Sequence, residues 1–558
     1  MSKSKVLLAS LMLVAFTTNA MAQNFVQKFL NRYRPPATVE LIPTQAGTAP
    51  EPALQQMIRQ GLLPLTVADT VRLMIQSNLD IRVDRFSPLQ QQIFLDTLFR
   101  PFEPTLSLNA NMRRNTQATT SELSAGRSLT HNYSAQYSQF FPTGLGISVT
   151  AGMNRVSDNN QFNTFNPSYF GSLTYAFRQN LLRDYGRNIN LRSLRVARTN
   201  KTISDIQFEL GLIDLVTRAQ LMYWDLVGSR QDITVKQQSL QLAQKTLADN
   251  NRQVEIGTLA PIEVVQTQVN VAGRNEQLVL STFSSDQLQD RIKQMITSAG
   301  DPAMILARLM PTEAVHKPSA TDLMSIEDAI RYALENRPEI RQTDLGLQNN
   351  DIDLEYLKNQ LLPTLSVNGS YTQSGVGGNE IDRQTRQIIN PGGVTDAFGQ
   401  IFGYNFTGYA VGFNLSIPLS NKSAQAEYSR AVAQKQSNEA RRTQLAQAIA
   451  LQVRNAHSAV EMNRARITAA EKTHELAQKQ LEAEQKKFEL GSGQIRFVLQ
   501  EQQNLTAAQT SEIQSLVNYT KALVEFDRAI GRTLRRNNIE IDKDLKIAVR
   551  NGNTANAN

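Results

Sequence analysis

The residues of this sequence best suited to chemistry are its histidines and a few close pairs of acids. Asp351 and Asp353 form one such pair within a helix pattern, and nothing around it indicates catalysis. No Walker loop, Rossmann fingerprint or nucleophile elbow is present. The four histidines show no spacing typical of metal ligands: His131, His316, His457 and His474. His457 and His474 lie in a polar helix pattern, where a solvated surface position is more common than metal binding. The sequence therefore predicts no enzyme activity, no cofactor and no metal site.

Composition removes further classes of protein. The 558 residues include no Cys, which excludes disulfides, thiolate zinc sites, Cys nucleophiles and a lipid-anchored Cys. The formal charge of +8 is small for this length, and no run of five Lys or Arg occurs, so the pattern of a nucleic-acid-binding protein is missing.

The first residues have the pattern of an export signal. Lys3 and Lys5 precede an apolar run, and Ala20-Met21-Ala22 has the small-x-small pattern of a signal peptidase site. We therefore predict a signal peptide at 1–22. No later segment is apolar for the roughly 20 residues that a membrane-spanning helix needs. The mature chain is then either soluble outside the cytoplasm or inserted as a β-barrel.

The chain reads as a duplication. Residues 65–72 align with 324–331, and the same offset of 259 aligns 104–109 with 363–368. Further on, Gly257 and Gly491 align at an offset of 234. The change of offset places about 25 extra residues in the first copy. We predict two repeats with one insertion.

Each copy predicts the same order of elements. Thr66 and Ser325 look like helix N-caps, each with an acid three residues later. Segments with alternating apolar and polar residues follow, as at 105–113 and 364–372, with a Gly-rich loop predicted at 375–403. The insertion supplies one more apparent hairpin, which contains Tyr133 and Met153.

Very long helices come next. No Gly or Pro occurs between Asn421 and Leu490, so about 70 residues would extend roughly 100 Å. Apolar residues recur there at spacings of three and four, with Asn463 interrupting the seam, which predicts side-by-side helix packing. A break at 491–493 leads to a second helix over 494–530. The first copy predicts an equivalent pair over 190–256 and 262–299.

The few strands per chain predict assembly. An open hairpin with one apolar face would leave its edge N–H and C=O groups unpaired in lipid, so strands of several chains must close one barrel. Residues suited to the aromatic girdles are Tyr169, Phe170, Tyr371, Phe402, Tyr404 and Tyr409. Four or six strands per protomer are possible. We favour four, with the Tyr133–Met153 hairpin extended outward or folded over the barrel mouth. A soluble β-sandwich is the alternative.

The order of these parts resembles the TolC-like outer-membrane efflux proteins, also called outer membrane factors. The resemblance covers nearly all of 65–530, including the 179–187 stretch from strand to helix and the two glycine turns. It implies an α+β membrane protein: a trimeric transmembrane β-barrel continued by a long periplasmic helical barrel, in the outer membrane of a Gram-negative bacterium. The implied function is a passive channel of a tripartite efflux or type I secretion system. The implied partners are a periplasmic adaptor and an inner-membrane pump or ABC exporter. A periplasmic structural coiled-coil protein with a soluble β head is the alternative.

The resemblance also implies functional positions at the periplasmic tip. The predicted adaptor contacts are the two turns, Ile256, Gly257, Thr258, Leu490, Gly491 and Ser492. Relatives often carry Asp just after the second glycine, but here the predicted constriction is Arg496, Phe497 and Gln500. We therefore expect a tip with apolar and polar side chains that trivalent cations block only weakly.

The predicted domain order follows from these boundaries. After the signal peptide come an extended arm at 23–64 and the first repeat at 65–300. A linker at 301–323 precedes the second repeat at 324–530, and a weakly structured tail occupies 531–558. The exported substrate, and the roles of the arm and the tail, stay open.

Overall fold

The computed structural model describes residue 33, residue 58 and most of the chain from 61 onward: 61–118, 124–160, 162–297, 305–315, 317–319, 323–382, 384–385, 387–541 and 547–549. The predicted signal peptide, most of the predicted arm, the end of the tail and His316 lie outside the described residues. We call 65–300 the first half and 324–530 the second half.

Each half opens with short helices below the sheet. The first half has α1 (Val67–Ser77), α2 (Leu79–Asp84) and α3 (Phe86–Thr97), and the second has α7 (Ile326–Asn336) and α8 (Pro338–Gln360). The predicted N-caps are confirmed, because the Thr66 and Ser325 hydroxyls accept from the backbone N–H groups of Asp69 and Asp328. The residues between each cap and the strand that follows form more than one helix. Asn78 caps α2, and Pro338 begins α8, so each run breaks there.

Six long strands form one antiparallel sheet in the order β2-β3-β4-β5-β7-β9. They are β2 (Thr105–Thr116), β3 (Arg127–Phe140), β4 (Leu145–Asp158), β5 (Phe165–Asn180), β7 (Thr364–Ile381) and β9 (Phe406–Ser416), with short β8 (Ile388–Asn390) beside β7. The preference for four strands is therefore wrong. The Tyr133–Met153 hairpin pairs in register with β2 and β5, because its alternation continues theirs and Gly144, at a φ of +89°, permits a tight turn.

The predicted Gly-rich loop at 375–403 is also wrong. Its first residues extend β7 to Ile381, and helix α9 (Val394–Phe402) then packs on β5 and β7. Gly393 begins α9, where the Asp396 carboxylate accepts from the Gly393 N–H at 2.7 Å. Gly375 and Gly377 of β7 allow the close contact with α9, because a Cβ at either would lie 2.1 Å from a backbone oxygen.

Four long helices form the other end of the molecule. They are α5 (Arg192–Glu255), α6 (Pro261–Ile296), α10 (Lys422–Glu489) and α11 (Ile495–Ala529), and α4 (Arg187–Asn190) precedes α5. The predicted long helices are confirmed to within a few residues. Packing gives the order α10-α11-α5-α6 across the layer. The predicted seam of α10 is buried against α11, with Val453, Val460 and Ile467 at 0–2% exposure.

One large apolar core lies mainly in the first half, a second lies within the second half, and the predicted linker and tail contribute to the first of these. Strand β1 (Leu62–Leu65) pairs in parallel with β6 (Arg308–Pro311), and Leu63, Leu65 and Leu309 are fully buried. After Gly531 come α12 (Thr533–Arg536) and the hairpin β10 (Ile539–Ile541) and β11 (Ile547–Val549). Arg532 and Arg536 both bind the buried Asp527 carboxylate, so the start of the tail is held in place. Among the described residues, no helix is long and apolar enough to cross a membrane.

Candidate channel surfaces and tip turns

The strand register keeps one polar face across the whole sheet. Thr105, Ser138 and Ser148 lie opposite one another on β2, β3 and β4, and the row continues through Ser370 on β7. The Thr105 and Ser138 hydroxyls are 2.7 Å apart. Similar contacts join Asn132 Nδ2 to Asn111 Oδ1 at 3.0 Å and the hydroxyls of Thr174 and Thr372 at 3.1 Å. The polar face predicted from alternation is confirmed.

The opposite face is apolar in the same register. Leu106 lies opposite Tyr137, then Val149 and Tyr175, and the row reaches Tyr371 and Tyr409 at the far edge. Tyr409 and Phe413 on β9 are 87% and 74% exposed. This row therefore runs across all six strands and is most exposed on the edge strand β9.

The predicted aromatic girdle needs one correction. Tyr169 and Phe170 are consecutive in β5, so their side chains project to opposite faces. Tyr169 lies on the apolar face opposite Arg155, whereas Phe170 lies opposite Asn154 on the polar face. Phe170 therefore cannot join a ring of aromatic side chains on the apolar side.

The polar face is concave. One cavity of about 710 Å³ is lined by Thr105 of β2 and also by Ala410 of β9, which are the two edges of the sheet. Ser148, Arg178 and Asn368 line it between these edges. The sheet thus curves around its polar side.

Both predicted tip turns have the same hydrogen-bond pattern. Gly257, at a φ of +79°, donates to the Val254 carbonyl at 3.0 Å, and the next N–H, that of Thr258, donates to Gln253 at 2.8 Å. Gly491, at a φ of +75°, repeats both bonds with Phe488 and Lys487 at 3.0 Å. These are Schellman motifs, in which a left-handed residue satisfies the last helical carbonyls. A Cβ at either glycine would meet no atom within 4 Å, so only the backbone angle favours Gly.

The predicted constriction residues lie together on one exposed surface of α11. The Arg496 guanidinium sits 4.7 Å from the centre of the Phe497 ring, and Gln500 Nε2 donates to Asn504 Oδ1 at 3.1 Å. Phe497 is 46% exposed, while Val498 and Leu499 beside it are buried against Leu481 and Ile495. The three residues thus face away from the protomer's own core.

A row of polar contacts joins α5 to α11, and the sequence reasoning missed it. Near the tip Gln502 Nε2 donates to Thr246 Oγ1 at 3.0 Å, and further up Thr506 donates to Ser239 at 2.9 Å. Lys521 and Arg528 form ion pairs of 2.7 Å with Asp225 and Asp214. Each partner is more than 250 residues away in sequence, so no local pattern could reveal the pairing.

Other charged groups of the long helices make contacts within one helix or with its neighbour. His474 Nδ1 lies 2.5 Å from Glu512, and the His457 ring packs edge-on against Phe526. On α10, Lys472 and Lys479 both donate to Glu475 and lower the pKa of its carboxyl to about 2. Within the described ranges, no three His, Asp or Glu side chains form a group that could hold a metal ion.

Part of the chain is similar in sequence to a known protein family. Residues 329–532 match the sequence model of the family described as outer membrane efflux protein. No curated protein shows significant sequence similarity to the chain. Several solved structures of outer-membrane channels share the fold. They include OprN, at 14% identity and a TM-score of 0.60, with 89% of this chain and 98% of that chain covered. For CmeC of Campylobacter jejuni the identity is 14% and the TM-score 0.57, with 84% of this chain and 86% of that chain covered. For VceC of Vibrio cholerae the identity is 12% and the TM-score 0.59, with 83% of this chain and 96% of that chain covered.

These findings confirm two predictions. The resemblance stated from the sequence is correct, and so is the location, which is the outer membrane with the helical part in the periplasm. Residues 329–532 are thus similar to the outer membrane efflux protein family, and the described chain shares the fold of solved outer-membrane channels.

Proposed function

We propose that the protein is a passive conduit from periplasm to exterior, closed by three identical protomers and coupled to an adaptor and an inner-membrane transporter. The main support is the open sheet with one polar and one apolar face. Its edge strands β2 and β9 are exposed along their entire length and have no second neighbour among the described residues.

Pairing between protomers would remove both edges. Strands β2 and β9 run in opposite directions, so β9 of one protomer can join β2 of the next as an antiparallel pair. Three protomers with six long strands each form a barrel of eighteen strands. An even number is what bacterial outer-membrane barrels have, and the apolar band then faces lipid.

The helical layer has matching unpartnered surfaces. On α6, Ile262, Val269 and Phe283 are 60–68% exposed, and on α10 Leu451 and Met462 are 59–60% exposed. These helices are the two outer members of the layer, so α6 of one protomer can pack against α10 of the next. Apolar residues recurring on helices this long are typical of helix–helix packing.

The tip turns are our proposed adaptor contacts. Ile256 and Leu490 are 73% and 83% exposed at the ends of α5 and α10, beside the two glycines. An exposed apolar side chain at a rigid helix turn suits docking to another helical protein. Transport through the conduit needs no catalysis in this chain, because the inner-membrane partner supplies the energy.

Disulfide scanning tests closure directly, because the chain has no cysteine of its own. Leu108→Cys on β2 is combined with single Cys substitutions along β9. Positions 407, 409, 411, 413 and 415 share the face of Leu108, and 408 and 412 face the other way. We expect a covalent trimer from at least one position of the first set and none from the second. Protein that stays a compact monomer in detergent-free buffer would instead support the periplasmic coiled-coil alternative.

Conduction is the second measurement. Purified protein in a planar bilayer should open channels, and outer-membrane fractions should contain the heat-modifiable trimer. A trimer that conducts but exports only proteins in cells would favour the type I secretion arm of the proposal over efflux of small molecules.

A further inference from the structure

We propose that the cleft between α9 and the apolar face of the sheet binds a phosphorylated, acylated lipid of the outer leaflet. The acyl chain would lie in the cleft and the phosphate on basic side chains at its outer rim. This inference rests on the proposed function, because it requires the apolar face to contact lipid.

Helix α9 is fixed closely on the apolar face by glycine. A Cβ at Gly375 would lie 2.1 Å from the Ala397 carbonyl oxygen, and one at Gly377 would lie 2.1 Å from that of Gly393. Ala397 and Ile401 are consequently buried, at 0% and 2% exposure. The helix therefore lies directly on the strand backbones, on the side that would face the membrane.

One side chain of the helix also replaces a strand partner. Strand β9 pairs with β7 only as far as Ser374. Just beyond it, the Val376 N–H donates to Gln400 Oε1 at 2.9 Å. The helix thus terminates this part of the ladder, which gives it a defined position on the sheet.

The helix leaves an apolar cleft beside it. The cleft has a volume of about 450 Å³ and is lined by Ala110, Tyr133, Met153 and Leu173 of the sheet and by Phe398 and Phe402 of α9. The two phenylalanine rings stack at 6.3 Å and are 44% and 68% exposed. An exposed apolar groove on a lipid-facing surface has the right chemistry for an acyl chain.

Basic groups lie just above the cleft, toward the strand ends away from the helical layer. Arg155 is two residues beyond Met153, about 7 Å along the strand. Its Nη1 lies 3.2 Å from His131 Nδ1, and its Nε donates to the Tyr169 hydroxyl at 3.3 Å. Arg114 is exposed on the same face, one row further out.

This arrangement of charge selects the occupant. An apolar cleft with two guanidiniums at one end matches a lipid whose phosphate lies at the end of its acyl chains. Arginine binds phosphate through two parallel N–H bonds, so the rim favours head groups with uncompensated phosphate monoesters over zwitterionic ones, whose phosphodiester is balanced by an ammonium. A peptide segment would not need basic groups at the membrane rim.

Native mass spectrometry of the detergent-purified full chain tests the proposal, with bisphosphorylated lipid A as the probe and phosphatidylethanolamine for comparison. We expect lipid A to bind at least tenfold more tightly. The double variant Arg114→Gln/Arg155→Gln should lose at least tenfold in lipid A affinity. Arg113→Gln is the matched control, because Arg113 neighbours Arg114 but projects to the polar face. It should change the affinity by less than twofold.

A second variant tests the cleft without changing the rim. Phe398→Gln/Phe402→Gln removes the apolar wall of α9 while Ala397 and Ile401 keep the helix docked. We expect weaker binding of both lipids by a similar factor. Equal losses in the Arg113 and Arg114/Arg155 variants, or no preference for lipid A, would overturn the lipid site. If the same preparation still forms conducting trimers, the proposed function stands; a monomer without channel activity refutes both.

Discussion

The two halves of the molecule place different structures between their first and last long strands. In the first half, β2 and β5 are separated by the hairpin β3–β4, which widens the sheet by two strands. In the second half, β7 and β9 pair directly, and the connection carries α9, which covers part of one face. The same position in the chain thus widens the sheet in one half and thickens it in the other.

The comparison teaches what each insertion requires of its neighbours. A hairpin needs only the same alternation as the strands beside it, so Tyr133 and Met153 continue the apolar rows of β2 and β5. A helix on a strand needs the strand to lose its side chains. Gly171 and Gly375 lie opposite each other under α9. A Cβ at Gly375 would collide with the Ala397 backbone, whereas one at Gly171 would meet the end of the Ile401 side chain at 2.8 Å.

Removing the hairpin is the largest change that this comparison suggests. Deletion of 118–159 would bring β2 beside β5, and the register that β3 and β4 transmit places Leu106 opposite Tyr175, so both faces are kept. We expect a trimer with a barrel about two thirds as wide, since barrel diameter grows roughly linearly with strand number. Electron micrographs of single particles, viewed along the threefold axis, measure this width.

The control for the deletion keeps the hairpin and shortens only the connection between β2 and β3, by removing residues 119–123. That variant should form a barrel of the original width. A deletion of the whole hairpin that leaves the width unchanged would mean that β3 and β4 do not belong to the barrel wall.

A single substitution tests the helix in the second half. Gly375→Val suits a strand, because β-branched residues favour it, yet its Cβ would displace the Ala397 carbonyl. We expect a loss of about 1–3 kcal/mol in stability and faster proteolysis of the segment around α9. The temperature at which the trimer dissociates on gels reports the first effect, and limited digestion reports the second.

Gly399→Ala is the matched control in the same helix. A Cβ at Gly399 meets no atom within 4 Å, and alanine favours helix over glycine by about 1 kcal/mol. This variant should be as stable as the parent or slightly more so. If both variants lose stability equally, tight contact with the strand is not what holds α9.

The features that the sequence predicted were those with a local period. Alternation gave the two faces of β2 and β7, and the absence of Gly and Pro gave the long helix α10 almost to the residue. The left-handed turns at Gly257 and Gly491 follow from the same reasoning, since a helix that reverses direction commonly ends on glycine.

The features that the sequence did not predict depend on long-range contacts. The glycines before α9 looked like a loop because the helix that requires them lies about 20 residues away in the chain. Strand number was misjudged because alternation shows which residues share a face but not which strands share a sheet. Ion pairs such as Lys521 with Asp225 join the two halves and have no local signature.

At the tip the two halves have the same turn geometry, and acidic residues can be introduced after the second turn. Phe497 and Gln500 lie on an exposed surface just after the second turn, and neither is acidic. Phe497→Asp/Gln500→Asp would place six carboxylates in a trimer, where hexaamminecobalt(III) could bind them. We expect the single-channel blocking constant to fall at least tenfold, equivalent to about 1.4 kcal/mol.

Gln514→Asp is the control for the tip, because position 514 lies on the same side of α11 about 21 Å further from the turn. It should leave the blocking constant nearly unchanged. Strong block of the unmodified channel at micromolar concentrations would contradict the predicted apolar and polar constriction.

The smallest expected difference concerns the helix caps that open each half. The Thr66 hydroxyl accepts from the Asp69 N–H at 3.0 Å, and the Asp69 carboxylate accepts from the Thr66 N–H at 3.3 Å. Ser325 accepts from Asp328 at 3.2 Å, and its hydroxyl donates to the same carboxylate. Thr66→Ala should cost about 1 kcal/mol and Ser325→Ala somewhat less, because the hydroxyl bond of the first cap is partly buried and that of the second is exposed. Thermal unfolding followed by fluorescence of the single tryptophan, Trp224 in the core beside α1, measures both. Equal costs would mean that partial burial of the first cap adds nothing to the strength of its hydroxyl bond.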